Sequence, residues 1–231
     1  MKSLFILMLT VLSVQLVSAH ALWLETSSKG AKNTKQEVKV YYGEYASKEL
    51  EPIDKWYSDV KDFKLILTSP TNQKIELSKK ANANHFVADF TPTEEGTYTL
   101  SISHPSKDLS KTNLYAFSSL AFVQVSGQFN PIISNKFYLN IYPMDYAIGN
   151  TVEATVIKDN KPLVEAEVIV MSEDGWSKVF KTDNDGKVKF PVLWKGHYVI
   201  EASFGEEKDG EWNGKPFTYV WEGTTTFITV K

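Results

Sequence analysis

Cysteine is absent from all 231 residues, which excludes disulfides, thiolate metal ligation, a cysteine nucleophile and a lipid-bearing N-terminal cysteine. Core packing alone has to hold the fold. Arginine is absent as well, so all 25 basic residues are lysine. Without guanidinium forks there is no bidentate reading of phosphate or guanine, and a net charge of −3 repels polyanions, so no nucleic-acid partner is expected. After the first 19 residues no apolar run is long enough to span a bilayer, so the mature chain has no transmembrane segment. Catalytic signatures are missing too: there is no G-x-S-x-G elbow, no H-E-x-x-H, no P-loop and no dinucleotide glycine pattern. Neither an enzyme nor an organic cofactor is expected.

The chain opens on Lys2, an apolar stretch from Leu4 to Leu12 and the small residues Val17-Ser18-Ala19, the pattern of a signal peptide over residues 1–19. Export to a periplasm or to the medium follows. Cleavage after Ala19 makes His20 the first residue of the mature protein. Ala19-His20-Ala21 is itself an A-x-A pattern, and a cut after Ala21 would discard the histidine.

Short alternating runs dominate the rest: Val38 to Tyr41, Phe63 to Leu67 and Thr97 to Ser103, each bounded by Pro, Gly, Asn or Asp. Helical periodicity is confined to residues 48–61, where Pro52 limits it to one short turn or a loop. An internal repeat organises the chain. Phe90-x5-Gly96-x-Tyr98-x-Leu100-x-Ile102-Ser103 recurs as Phe190-x5-Gly196-x-Tyr198-x-Ile200-x-Ala202-Ser203, a turn leading into a Tyr-led strand each time. The fold expected is all-β, two antiparallel immunoglobulin-like or transthyretin-like sandwiches in tandem. Their bounds are placed at 20–126 and 136–231, with residues 127–135 as a linker marked by Gly127, Asn130 and Pro131.

A mature start of His-Ala-Leu-Trp, a β domain, and then "GNTVEATVIKDNKPLVEAEVIVMSEDGWSKVFKTDNDGKVKFPVLWKGHYVIEA" resembles the exported bacterial family called domain of unknown function 4198. That resemblance implies a periplasmic component of nickel or cobalt uptake, with a membrane metal transporter as partner. Ala21 and Leu22 stand where the family pattern has a polar or acidic residue after the starting histidine, so the resemblance carries a metal role to His20 alone. Residues 149–202, with "KPLVEAEV" and "TDNDGKVKF", also resemble carboxypeptidase-regulatory-like and bacterial Ig-like modules, which implies a structural or binding unit.

Chemistry supports the same anchor. A starting His20 offers an α-amine and an imidazole that close a chelate ring on a divalent transition metal, and nitrogen-rich tetragonal sites favour Cu(II) or Ni(II). His104, continuing the row Tyr98, Leu100, Ile102 to the rim before Pro105, is the expected second ligand. His85 and His197 read as surface strand residues, and Met144 is a supplementary donor. Asp183 to Gly186 resembles a calcium loop but lacks the bidentate glutamate and reads as a bend between strands, while the acidic run 205–214 reads as a solvated face.

The competing expectation is a non-enzymatic carbohydrate-binding or adhesion module. Trp212, Tyr219 and Trp221 fall near one C-terminal hairpin beside Asn213 and several carboxylates, the mixture that stacks a sugar face and bonds its edge.

Overall fold

The structure is a computed structural model that describes residues 20–142 and 145–231. The expected signal peptide and its cleavage site at Ala19, together with Met144, lie outside the described residues.

Alternating burial builds an all-β chain. In Gln36–Glu44 the side chains of Gln36, Val38, Val40 and Tyr42 are buried while Glu37 is exposed, which is the period-two signature of a half-buried strand. Only two single-turn 3-10 segments interrupt the described strands, Ile53–Lys55 and Val60–Asp62, in the stretch where Pro52 stops a helix.

Two small sheets and one large one form the tandem sandwiches. The first small sheet orders Ala21–Glu25, Gln36–Glu44, His85–Phe90 and Lys80–Ala81; the second centres on Thr151–Lys158, flanked by Phe137–Ile141 and Lys187–Pro191. The large sheet has nine strands and runs under both. Its order is Ser177–Lys181, Glu167–Ser172, Gly196–Trp212, Lys215–Val230, Asn113–Val125, Gly96–Pro105, Ile66–Thr68 and Lys74–Glu76, with Asp145–Tyr146 added alongside Lys215–Val230. The joint between the two halves is a parallel pairing of Lys215–Val230 with Asn113–Val125, from Tyr219 opposite Asn113 to Thr226 opposite Leu120.

One strand therefore serves two cores. Phe117, Ala121, Val123 and Val125 pack with Leu22, Val40, Phe86 and Leu100 in the first sandwich. From the opposite face of the same strand, Leu120 and Phe122 pack with Leu139, Val156, Phe190 and Ile200 in the second. Phe129 and Ile133 lean on that second core, and the Asn135 side chain donates to the Ile102 carbonyl at 2.8 Å.

The opening strand Ala21–Glu25 is buried on both faces. Leu22 and Leu24 enter the first core, whereas Ala21 and Trp23 meet Met171, Val199 and Phe227 on the large sheet. Its edge away from Gln36–Glu44 would leave amide and carbonyl groups unpaired, a liability for any edge strand. Hydroxyls of the large sheet cover it: the Leu24 N–H donates to Ser119 Oγ at 3.1 Å, and Thr225 Oγ1 donates to the Leu22 carbonyl at 2.7 Å. Of the three buried threonines Thr224, Thr225 and Thr226, Thr225 is the one whose hydroxyl meets the opening strand.

The sequence repeat has a geometric counterpart. Tyr98 Oη accepts the Thr93 and Glu94 amides at 3.1 and 2.9 Å, and Tyr198 Oη accepts the Trp194 amide at 3.0 Å while donating to the Trp194 carbonyl at 3.1 Å. Gly96 and Gly196 sit at φ +125° and +120°, which side-chain-bearing residues rarely adopt. Each copy is a corner in which a buried phenol ties down the turn four residues upstream, as in immunoglobulin-like sandwiches. Tyr198→Phe should lower unfolding free energy by about 1–3 kcal/mol, because it leaves two Trp194 backbone groups without their partner. Urea denaturation reads this, and an unchanged midpoint would show the corner to be idle.

Candidate functional site

His20 immediately precedes the opening strand, its ring stacked on Tyr42 with centroids 5.3 Å apart. Its Nε2 lies 2.9 Å from Glu51 Oε1 and its Nδ1 3.9 Å from Glu44 Oε1. Both carboxylates ride on one hairpin, in which Gly43 pairs with Leu50 and Glu44 with Glu49. Gly43 is required there, since a Cβ at its φ of +149° would run into the Glu49 carbonyl. Glu51 is fixed at both main-chain ends: its amide donates to the Tyr42 carbonyl at 3.0 Å, and its carbonyl accepts the Trp56 indole N–H at 3.0 Å. Burial, and after it the nearby Glu51 carboxylate, push the Tyr42 phenol far above its usual range, so the ring under His20 stays neutral.

His104 has a separate carboxylate. Its Nε2 lies 3.1 Å from Asp59 Oδ1, which also accepts the Lys107 amide at 2.7 Å. Burial opposes ionisation of Asp59, but the Lys107 amide and then His104 outweigh it and hold the carboxyl below its usual value. His20 and His104 share no partner in these contacts. Among the described residues no group of three or more His, Cys, Asp or Glu side chains is placed to hold a metal ion.

The other two histidines are tied into local contacts. His85 lies 3.0 Å from both Asn82 Nδ2 and Asn84 Oδ1 and stacks on Tyr41; desolvation, then Lys39, lowers its pKa. His197 Nδ1 is 2.9 Å from Glu173 Oε2, with its ring over Phe227. Asp183 spends its carboxylate on its own bend, accepting the Lys187 and Asp185 amides at 2.9 Å each, and those bonds hold its pKa down.

The hairpin aromatics are engaged within the molecule. The Trp212 indole donates to the Ser106 carbonyl at 2.8 Å, and Trp221 meets Tyr115 and Phe117 edge-on at 5.7 Å each. Tyr219 lies across Gly205, where a Cβ would strike its hydroxyl, and lines an open groove of about 690 Å³ with Asn113, Glu207, Lys208, Asp209 and Thr218. These three residues therefore do not make one outward aromatic platform.

An aromatic group that does face out lies on the second sandwich, next to the turn 173–175 that abuts Ala46. Trp194 is 39% exposed, its ring meeting the edge of Trp176 at 5.5 Å. Exposed Leu193 follows Val192, whose amide and carbonyl pair with the exposed loop carrying Ile148. The hydroxyl of Tyr198 holds both backbone groups of Trp194, and the Glu173–His197 pair lies beside Gly196. The turn "VLWKGHY" gives no warning of this from sequence beyond placing a large aromatic in a turn.

Strand pairing and cores define an all-β protein of two tandem sandwiches sharing one sheet. No family model matches the chain, and no curated protein matches it. Among solved structures it is similar to a segment of two fibronectin type III domains from chicken tenascin, with 10% identity over 89% of this chain and 97% of that one and a TM-score of 0.25. It is also similar to Salmonella alpha-2-macroglobulin, with 12% identity, 89% of this chain, 14% of that one and a TM-score of 0.28. A biofilm-associated protein's BSP domain gives 10%, 90%, 30% and 0.26 for the same quantities. The chain thus spans well under half the length of the latter two. No helix among the described residues is long and apolar enough to cross a membrane.

Proposed function

We propose that the protein is an exported, non-enzymatic binding module that engages carbohydrate through Trp194. The observation that carries this reading is an exposed indole on a turn whose amide and carbonyl are both bonded to the buried Tyr198 hydroxyl. A turn whose backbone is already held loses little freedom on binding. Exposed Leu193 adjoins Trp194 in the chain, and the Glu173–His197 pair lies beside Gly196, two residues further on. On a glycan array the wild type should retain a defined set of oligosaccharides, and Trp194→Ala should weaken them about tenfold, the equivalent of ~1.4 kcal/mol of stacking. An array without hits, or hits indifferent to Trp194→Ala, contradicts the reading.

His20 favours a second reading: capture of one nickel, cobalt or copper ion for delivery to a membrane transporter, in a periplasm or outside the cell. Its support is the resemblance of the mature start to domain of unknown function 4198, together with the engagement of Nε2 by Glu51, which leaves Nδ1 as the nitrogen available to a metal. His104, the partner put forward from sequence, enters this reading with Asp59 already beside it.

A further inference from the structure

From the geometry around His20 we infer a specific metal seat, which rests on the metal reading above: the α-amine of a chain beginning at His20, His20 Nδ1 and the Glu44 carboxylate bind one divalent transition-metal ion, with Glu51 as the positioning residue. The Glu51 carboxylate, 2.9 Å from Nε2, engages that nitrogen as a hydrogen-bond partner, and Nδ1 is the ring nitrogen that faces Glu44. Carboxylate–histidine–metal triads use the same division of labour. Metal–donor bonds of roughly 2 Å set two donors on one ion between ~2.8 and ~4 Å apart, and Nδ1 and Glu44 Oε1 stand at 3.9 Å. The main-chain nitrogen is the third donor, so the seat needs only two side chains at the ion.

The surroundings suit a dication. Glu44 and Glu51 set two carboxylates around one imidazole, and the Tyr42 ring blocks one face of it. Rigid supports surround the donors: Gly43 sets the path into Glu44, and Trp56 pins Glu51. His104 is outside the seat, occupied with Asp59.

The test uses mature protein purified after export, its His20 start verified by intact mass, and Cu(II) alone as probe, followed by calorimetry and by electron paramagnetic resonance. Wild type should take one equivalent with a nitrogen-coordinated spectrum. Glu44→Gln should weaken it about tenfold or more and shift the spectrum, Glu44→Asp should recover part of the loss, and a chain carrying one extra residue before His20 should lose the spectrum altogether. Unchanged thermal midpoints show that the variants fold. If Glu44→Gln binds as the wild type with the same spectrum, Glu44 is not a ligand and the inference falls while His20 keeps its role. If the extended chain binds as tightly as the His20 start, the inference and the metal reading fall together.

Discussion

Replacing Trp23 with alanine should cost about 3–5 kcal/mol of unfolding free energy, the largest single loss expected on the opening strand. Trp23 is 1% exposed and faces away from the first core, into the contact with Met171, Val199 and Phe227. Tyr41 stacks on it at 5.4 Å, Tyr45 meets it edge-on at 5.5 Å, and its indole donates to Glu25 at 2.9 Å. The neighbouring hydrogen bonds, donated by Thr225 and accepted by Ser119, hold only the strand's edge and cannot fill the space left behind. Trp194→Ala, by contrast, should cost only about 0.5–1.5 kcal/mol, the worth of its contact with Trp176, as a side chain outside the cores. Urea denaturation of the two variants separates a structural tryptophan from one left over for binding, and equal losses would contradict both assignments.

Glu201 carries the second large effect. It pairs across the large sheet with Ile169 and Thr225 and shares the face of Val199, under the opening strand. Only 6% of it is exposed, and burial pushes its carboxyl from 4.5 up to about 8. Between those values the folded protein keeps a proton that the unfolded chain has released. The resulting contribution to stability is complete below about pH 4.5 and is lost as pH rises through about 8. Glu201→Gln, which needs no proton to stay neutral, should flatten this decline and exceed the wild type at pH 8 by a few kcal/mol, on the order of 3. Denaturation midpoints between pH 5 and 8 measure it. Parallel curves would mean that the carboxyl is not neutral in the fold.

Much of this architecture is legible in the chain because it is local. The matched Phe-x5-Gly-x-Tyr segments announce the two corners, since a Tyr-led strand after a glycine turn needs only neighbouring residues to form. Pro52 likewise declares the short 3-10 turns. The joint between Lys215–Val230 and Asn113–Val125 is different, because parallel pairing of distant strands leaves no periodic mark. Thr224, Thr225 and Thr226 look like solvent-facing polar residues until Thr225 is seen closing the edge of another strand. Aromatic clustering in sequence is a poor guide for the same reason: Trp212 and Trp221 are drawn inward by Ser106, Tyr115 and Phe117, all remote in the chain. His20 stands out through its place after a signal pattern, whereas Glu44 and Glu51 join it only through the hairpin that follows Gly43.

Carbohydrate engagement at Trp194 is tested most directly by fluorine NMR of protein labelled with 5-fluorotryptophan, with the six tryptophan resonances assigned by single substitution. Titration with an oligosaccharide retained on the array should move the Trp194 signal first and furthest, carry Trp176 with it, and leave buried Trp23 and Trp56 in place. A Trp194 signal that stays fixed while Trp212 or Trp221 moves would place binding on the hairpin and contradict the account.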